Sequence, residues 1–146
     1  MGDEDCQTLV GCLHFHIDRA RKLPDTDHIG ISFLSSGEDL TDPFVVVEIE
    51  HVFGNEELFR TEHIEDTLEP IWSHYRNIDI SYCVKKIIFH VKDNDRFGSE
   101  SVASLEIPAN EITDGETIDG WFDLEDENHE KAGQLKISVT YISSIE

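Results

Sequence analysis

Two short acidic motifs hold the residues of this chain best suited to chemistry: Thr41-Asp42-Pro43-Phe44 and Asp93-Asn94-Asp95-Arg96-Phe97. Each stands where a run of strand-forming residues meets a loop. The Asp93-x-Asp95 spacing puts two carboxylates on one side of an extended backbone, with the Asn94 carbonyl between them as a further oxygen donor. Pro43 fixes φ beside Asp42 and keeps it at a loop–strand junction. Calcium takes roughly 6–8 oxygen ligands, chiefly carboxylates supplemented by backbone carbonyls and water. If folding joins the two motifs, the chemistry they suggest is calcium coordination. Further candidates are Asp25, Asp27, Glu38 and Asp39 in the stretch from Pro24 to Leu40, and Glu100 after the second motif. Taken singly, Asp25, Glu38 and Asp39 read equally well as solvated acids in an acidic chain.

The elements that must position these groups read as strands. In Leu13-His14-Phe15-His16-Ile17 the apolar side chains share one face, leaving Cys12, His14 and His16 on the other. Phe44 to Ile49 is a β-branched run that turns near Gly54-Asn55 towards Leu58-Phe59-Arg60-Thr61, a hairpin pattern. Ile78-Asp79-Ile80, Lys86 to Val91, Val102 to Ile107, Trp121 to Leu124 and Leu135 to Tyr141 follow. Only Pro108 to Asp114 has room for a helical turn. About eight strands in one domain predict an all-β antiparallel sandwich with its loops gathered at the two ends. The irregular stretch from Pro24 to Leu40 is long enough to suggest function rather than mere connection.

Composition narrows the partners. The 146 residues carry 32 Asp and Glu against 11 Lys and Arg, a formal charge of -21. Such a chain repels nucleic acid, whose binding depends on cations neutralising phosphates. It also repels an anionic membrane unless a cation intervenes. A domain of this length buries roughly 68–70% of the surface of its unfolded chain, so it needs neither a metal nor a disulfide to fold. Cys6, Cys12 and Cys83 have no metal-ligand or redox spacing, which fits a reducing, intracellular compartment. The N-terminus is acidic with no apolar run behind it, unlike a signal peptide, and Cys6 stands where a myristoylation motif requires Ser or Thr. No apolar run approaches membrane-spanning length.

Thr-Asp-Pro-Phe leading into Val45-Val46-Val47, with Val91-Lys92-Asp93-x-Asp95-x-Phe97 later, resembles the C2 domain, the calcium- and lipid-binding β-sandwich. Lys22-Leu23-Pro24-Asp25-Thr26-Asp27 looks like that family's opening to its first calcium loop, and Glu69-Pro70-Ile71-Trp72 is similar to its Asn-Pro-x-Trp signature. The N-terminal C2 domain of plant-type phospholipases D is the most similar, through the lengthened first loop and the tail Gly115-Glu116-Thr117-Ile118-Asp119-Gly120-Trp121. With one strand before Asp27 and a full strand after Phe122, the resemblance implies an eight-stranded sandwich of type II topology. Residues 1–146 then form a single C2 domain, with 1–8 as a flexible N-terminal tail.

The resemblance implies Asp27, Asp42, Asp93 and Asp95 as calcium ligands. The family's fifth acid falls at Ser101, so Glu100 is its nearest substitute, although its side chain should start on the opposite side of an extended segment. The implied function is calcium-dependent binding to a phospholipid membrane surface, without catalysis, by a monomeric cytoplasmic protein that associates reversibly with membranes. Calcium relieves the repulsion among the carboxylates and offers open coordination sites to lipid phosphates. Ile29, Ile31, Phe33 and Leu34 in the first loop and Phe97 in the third are apolar residues suited to insertion, and Arg96 is placed to meet a phosphate. Phe33 and Leu34 are equally suited to pack beneath their own loop.

Rival readings fit less well. Asp93-Asn94-Asp95 with Gly98 matches the first, third and sixth positions of an EF-hand loop, but Phe97 and Ser104 fail at the fifth and twelfth. His90-Val91-Lys92 begins a phospholipase D catalytic motif whose final Asp is replaced by Phe97. Cys12, His14 and His16 offer thiolate and imidazole to zinc, yet a polar strand face needs no metal. A calcium-independent C2 domain with a protein partner, or the regulatory domain of a phospholipase D, is the alternative of another class.

Overall fold

Alternating apolar and polar residues become alternating buried and exposed positions once strands pair. In the computed structural model, which describes residues 6–25, 41–95 and 98–144, β1 (Gln7–Arg21) buries Leu13, Phe15 and Ile17 while His14 stays exposed. Gln7 and Thr8, expected in the N-terminal tail, already pair with Val84 and Cys83. The remaining strands are β2 (Pro43–His51), β3 (Gly54–Arg60), β4 (Ile71–Asp95), β5 (Gly98–Pro108), β6 (Thr117–Glu125) and β7 (Lys131–Ser143). The expected helical turn is a single 3-10 turn, Ala109–Glu111.

Every pairing is antiparallel, and the strands form a C2-type sandwich of two layers. One layer sets β1 between β7 and the first half of β4, with β6 beyond β7; the other sets β2 between β3 and the second half of β4, with β5 beyond β4. The segments around Ile78–Ile80 and Lys86–Val91, read as separate strands from the sequence, are one strand of 25 residues. A straight strand of that length would run roughly 80 Å, far beyond any small domain, so it must bend. The bend is visible in the registers. Gln7 and His51 both pair with Val84, and the β2 ladder then skips Lys85 to resume at Glu50↔Lys86. Among the described residues, seven continuous strands thereby fill eight positions.

The core lies between the layers, where Leu13, Ile17, Val45, Val47, Ile49, Val84, Ile87, Phe89, Leu124 and Leu135 are fully buried. Phe15 meets Phe59 and Phe89 edge-on at centroid distances of 5.2 and 6.1 Å, a geometry contributing about 0.5–1.5 kcal/mol per pair beyond burial itself. The buried Tyr141 hydroxyl accepts the Val10 N–H at 2.8 Å and donates to the Val10 carbonyl at 3.1 Å, locking β7 to the early part of β1. At the other end of that pair, Gly133 has φ +94°, and a Cβ there would stand 2.9 Å from the carbonyl oxygens of Arg21 and Lys22. Only glycine fits that approach.

Cys6 and Cys83, given no pairing by their spacing, are joined by a disulfide, and Cys12 is the free cysteine. Only the β1–β4 register brings the pair together, so the expectation of unpaired thiols is corrected here. Cys12, His14 and His16 do share an outer face, but His16 stacks on Tyr75 at 4.0 Å. Among the described residues no three His, Cys, Asp or Glu side chains are grouped to hold a metal, and the zinc reading finds no support. No helix among the described residues is long and apolar enough to cross a membrane.

Candidate functional site

The β2–β4 ladder ends at Pro43↔Asp93, so the two acidic motifs meet at one end of the sandwich. The Asp42 N–H donates to Asp93 Oδ1 at 2.9 Å, and the Asn94 N–H donates to the Asp42 carbonyl at 3.0 Å. Asp93 has the strand parity of Val91 and Phe89, which aims its carboxylate between the layers; it is 1% exposed. A carboxylate there is costly unless its oxygens are bonded, and the Asp42 amide meets part of that need.

Asp42 sits just outside. Its Oδ1 accepts the Asp66 N–H at 2.6 Å. Partial burial raises its carboxyl pKa above the ordinary value; the Asp66 bond opposes that shift, Asp93 and Glu65 add to it by repulsion, and His63 offsets a part. The arrangement is one in which a cation would relieve a charge conflict already present.

Asp95 stands opposite Gly98 at the end of the β4–β5 ladder, on the parity of Asp93. Glu100 behaves differently from expectation. The β4–β5 register runs Val91↔Ala103 and then Lys92↔Ser101, which skips Val102 and reverses the facing of the residues before it. Glu100 therefore lies directly opposite Asp93 and starts on the same side of the sheet, whereas Ser101 is opposite Lys92 on the outer face. Asp27, Ile29, Ile31, Phe33, Leu34, Arg96 and Phe97 fall outside the described residues.

The segment between β3 and β4 forms a wall of this site that sequence reasoning undervalued. Ile64 N–H donates to the Pro43 carbonyl at 3.0 Å and Thr67 N–H to the Thr41 carbonyl at 2.9 Å. Trp72 Nε1–H donates to the same Pro43 carbonyl at 3.2 Å. Its acids Glu62, Glu65 and Asp66 were a legible signal, an acidic run close before Glu69-Pro70-Ile71-Trp72. Thr41 is fully buried at the base, its hydroxyl 3.5 Å from the Pro24 carbonyl. An open cavity of about 350 Å³ adjoins, lined by Phe44, Arg60, Thr61, Glu62, His63 and Asn94. A slightly larger one of about 420 Å³, between β5 and β6, involves none of these groups.

The donor set is all oxygen and mostly carboxylate, which fits a hard divalent cation such as calcium rather than a thiolate-seeking one. Among the described residues it amounts to facing pairs, with no assembled group of three.

Comparison with known proteins agrees with this fold. The C2 domain family profile matches residues 11–124. Phospholipase D gamma 3 of Arabidopsis thaliana is 29% identical over 139 residues, covering 92% of this chain and 15% of that protein. Phospholipase D delta of the same plant is 37% identical over 82 residues, covering 56% of this chain and 9% of that protein. The chain thus spans a small fraction of the length of these curated relatives. Among solved structures, a C2 domain of plant Extended Synaptotagmin 1 superposes with TM-score 0.71 at 20% identity, covering 96% of this chain and 100% of that one. The calcium-bound pair of C2 domains from Extended-Synaptotagmin 2 superposes at TM-score 0.70 and 20% identity, over 91% of this chain and 46% of that one.

Proposed function

Since the chain belongs to the C2 domain family, we propose that it is a calcium-dependent phospholipid-binding module. The observation that carries this reading is the contact between the two acidic motifs, in which Asp42 and Asp93 are held together by a 2.9 Å amide–carboxylate bond. Asp42, Asp93 and Asp95, with Glu100 opposite Asp93 and Asp27 from the first loop, would hold the ion. Calcium supplies positive charge and coordination positions open to lipid phosphate oxygens.

The protein's own part is to keep the carboxylates close and oriented. The Asp66 N–H on Asp42 and the Asp42 N–H on Asp93 fix both groups before any ion arrives. Ile29, Ile31, Phe33, Leu34 and Phe97 would contact the membrane at the headgroup boundary, where full burial of a large apolar side chain contributes roughly 1.5–3 kcal/mol; Arg96 would meet a phosphate. A net charge of -21 makes the attraction local to this end, since screening over about 8 Å at physiological ionic strength silences the distant acids. The module is non-catalytic, monomeric and reversibly membrane-associated from the cytoplasm, and it regulates or targets the protein that carries it.

Sedimentation with phosphatidylserine-containing liposomes tests the reading. Binding is expected with calcium and lost with chelator, and lost likewise in Asp93→Asn combined with Asp95→Asn. Binding indifferent to both would sink it, and phospholipid hydrolysis by the isolated chain would overturn the non-catalytic assignment. One observation favours a second reading, a calcium-independent protein-interaction domain: among the described residues three acids do not converge. Calorimetric titration with calcium separates the two, absence of heat and of thermal stabilisation favouring the interaction domain.

A further inference from the structure

We propose that Cys6 and Cys83 form a thiol-responsive clamp that fastens the starting end of β1 to β4. The register supports the pairing. Thr8 is opposite Cys83, and Cys6, two residues before Thr8, shares its facing, so both sulfurs start on one face of the sheet. Their Cα atoms are 5.5 Å apart, within the roughly 4.4–6.8 Å span a disulfide bridges. Both residues are half-buried, so small thiol reagents reach them.

The position gives the bond its effect. Cys83 adjoins Val84, where the β1 and β2 ladders both terminate on β4 and where Lys85 is skipped. Closing the bond ties down the end of β1 at the place where β4 passes from one layer to the other. Cys12 is paired in register with Asp79 and its thiol lies 3.8 Å from the Leu13 carbonyl. It takes no part in the bond and serves as an internal control.

The co-reactant is a low-molecular-weight disulfide such as glutathione disulfide. One cysteine thiolate attacks it, forming a mixed disulfide and expelling one glutathione thiolate; the second cysteine thiolate attacks the protein sulfur of that mixed bond and expels the other. Two electrons pass from the cysteine pair to the oxidant, and the two cysteine protons end on the two released glutathiones. Excess glutathione reverses each step. The bond closes a loop with a sequence separation of 77, and restricting the unfolded chain to that extent raises the thermal midpoint by on the order of 10 °C.

The test equilibrates the protein across glutathione and glutathione disulfide ratios, alkylates it, counts modified thiols by mass and measures the midpoint. The expected result is alkylation at Cys12 alone under oxidising ratios and at three sites under reducing ones, with the higher midpoint in the oxidised form. Cys12→Ser should keep the shift and Cys83→Ser should lose it; Cys6→Ser, outside β1, repeats the test should Cys83→Ser fail to fold. Alkylation of all three thiols under oxidising ratios, a bond without a midpoint shift, or a shift that survives Cys6→Ser would each overturn the proposal.

Discussion

Glu100 faces Asp93 directly across the β4–β5 ladder, because the register skips Val102. Residues directly opposite in an antiparallel pair hold their Cβ atoms about 4.5–5.5 Å apart, close enough for two carboxylates to share one cation. In the proposed calcium site, the acid that the family pattern puts at Ser101 would be supplied by its neighbour Glu100 through this bulge.

Glu100→Gln is accordingly expected to weaken calcium binding by roughly tenfold, since affinity follows the number of charged ligands. Ser101→Asp, on the outer face opposite Lys92, should change it less than about twofold. Calorimetric titration of both variants decides the matter, and the reverse ranking would mean that Glu100 is no ligand.

Asp42→Asn should raise the thermal midpoint of the calcium-free protein by roughly 2–4 °C at neutral pH, after allowance for solvent screening. The amide keeps an oxygen for the Asp66 N–H while removing a charge that partial burial, and then repulsion from Asp93 and Glu65, disfavours. The same variant should lose its stabilisation by calcium. Differential scanning calorimetry with and without the ion reads both effects.

Tyr82 provides an alkaline marker. Its phenol is pushed up to about 12, first by burial and then by the adjacent Glu56 charge and hydrogen bond. A group whose folded pKa exceeds its unfolded value adds stability that is complete below pH 10 and fades as the pH climbs towards 12. Phenolate absorbance should show a late step near pH 12 that Tyr82→Phe removes.

Gly133→Ala should cost about 2–4 kcal/mol in urea unfolding, combining an unfavourable positive φ with the approach of two backbone carbonyls that cannot yield. A loss below about 0.5 kcal/mol would show that the start of β7 relaxes away from Arg21.

Much of the fold was legible because strand periodicity is a local signal. The alternation in Leu13 to Ile17 and Leu135 to Tyr141 needs no knowledge of partners, and the antiparallel sandwich follows from it, while the C2 assignment came from the motif resemblance. What stayed hidden depends on pairing. Ser81-Tyr82-Cys83 breaks the apolar pattern and so reads as a gap, yet these residues continue β4 because β1 supplies partners. The skip at Val102 is invisible for the same reason, and it decides which side of the sheet Glu100 takes. Cys6 and Cys83 are likewise joined only through register. In the candidate site Asp42, Asp93 and Asp95 announced themselves by motif; Asp66 was visible as one of an acidic run, but its bond to Asp42 was not, because it comes from a backbone amide that any residue type except proline could supply.

The passage of β4 through both layers carries a mechanical consequence. Two sheets joined only by loops can slide past one another or peel apart in stages. Here the same backbone is laced into β1 along one stretch and into β2 along the next, so the two layers share a strand and stay pinned together at its bend. Sliding one layer past the other along that strand must first tear one of those ladders, whereas opening the layers can proceed only as a hinge about the bend near Val84.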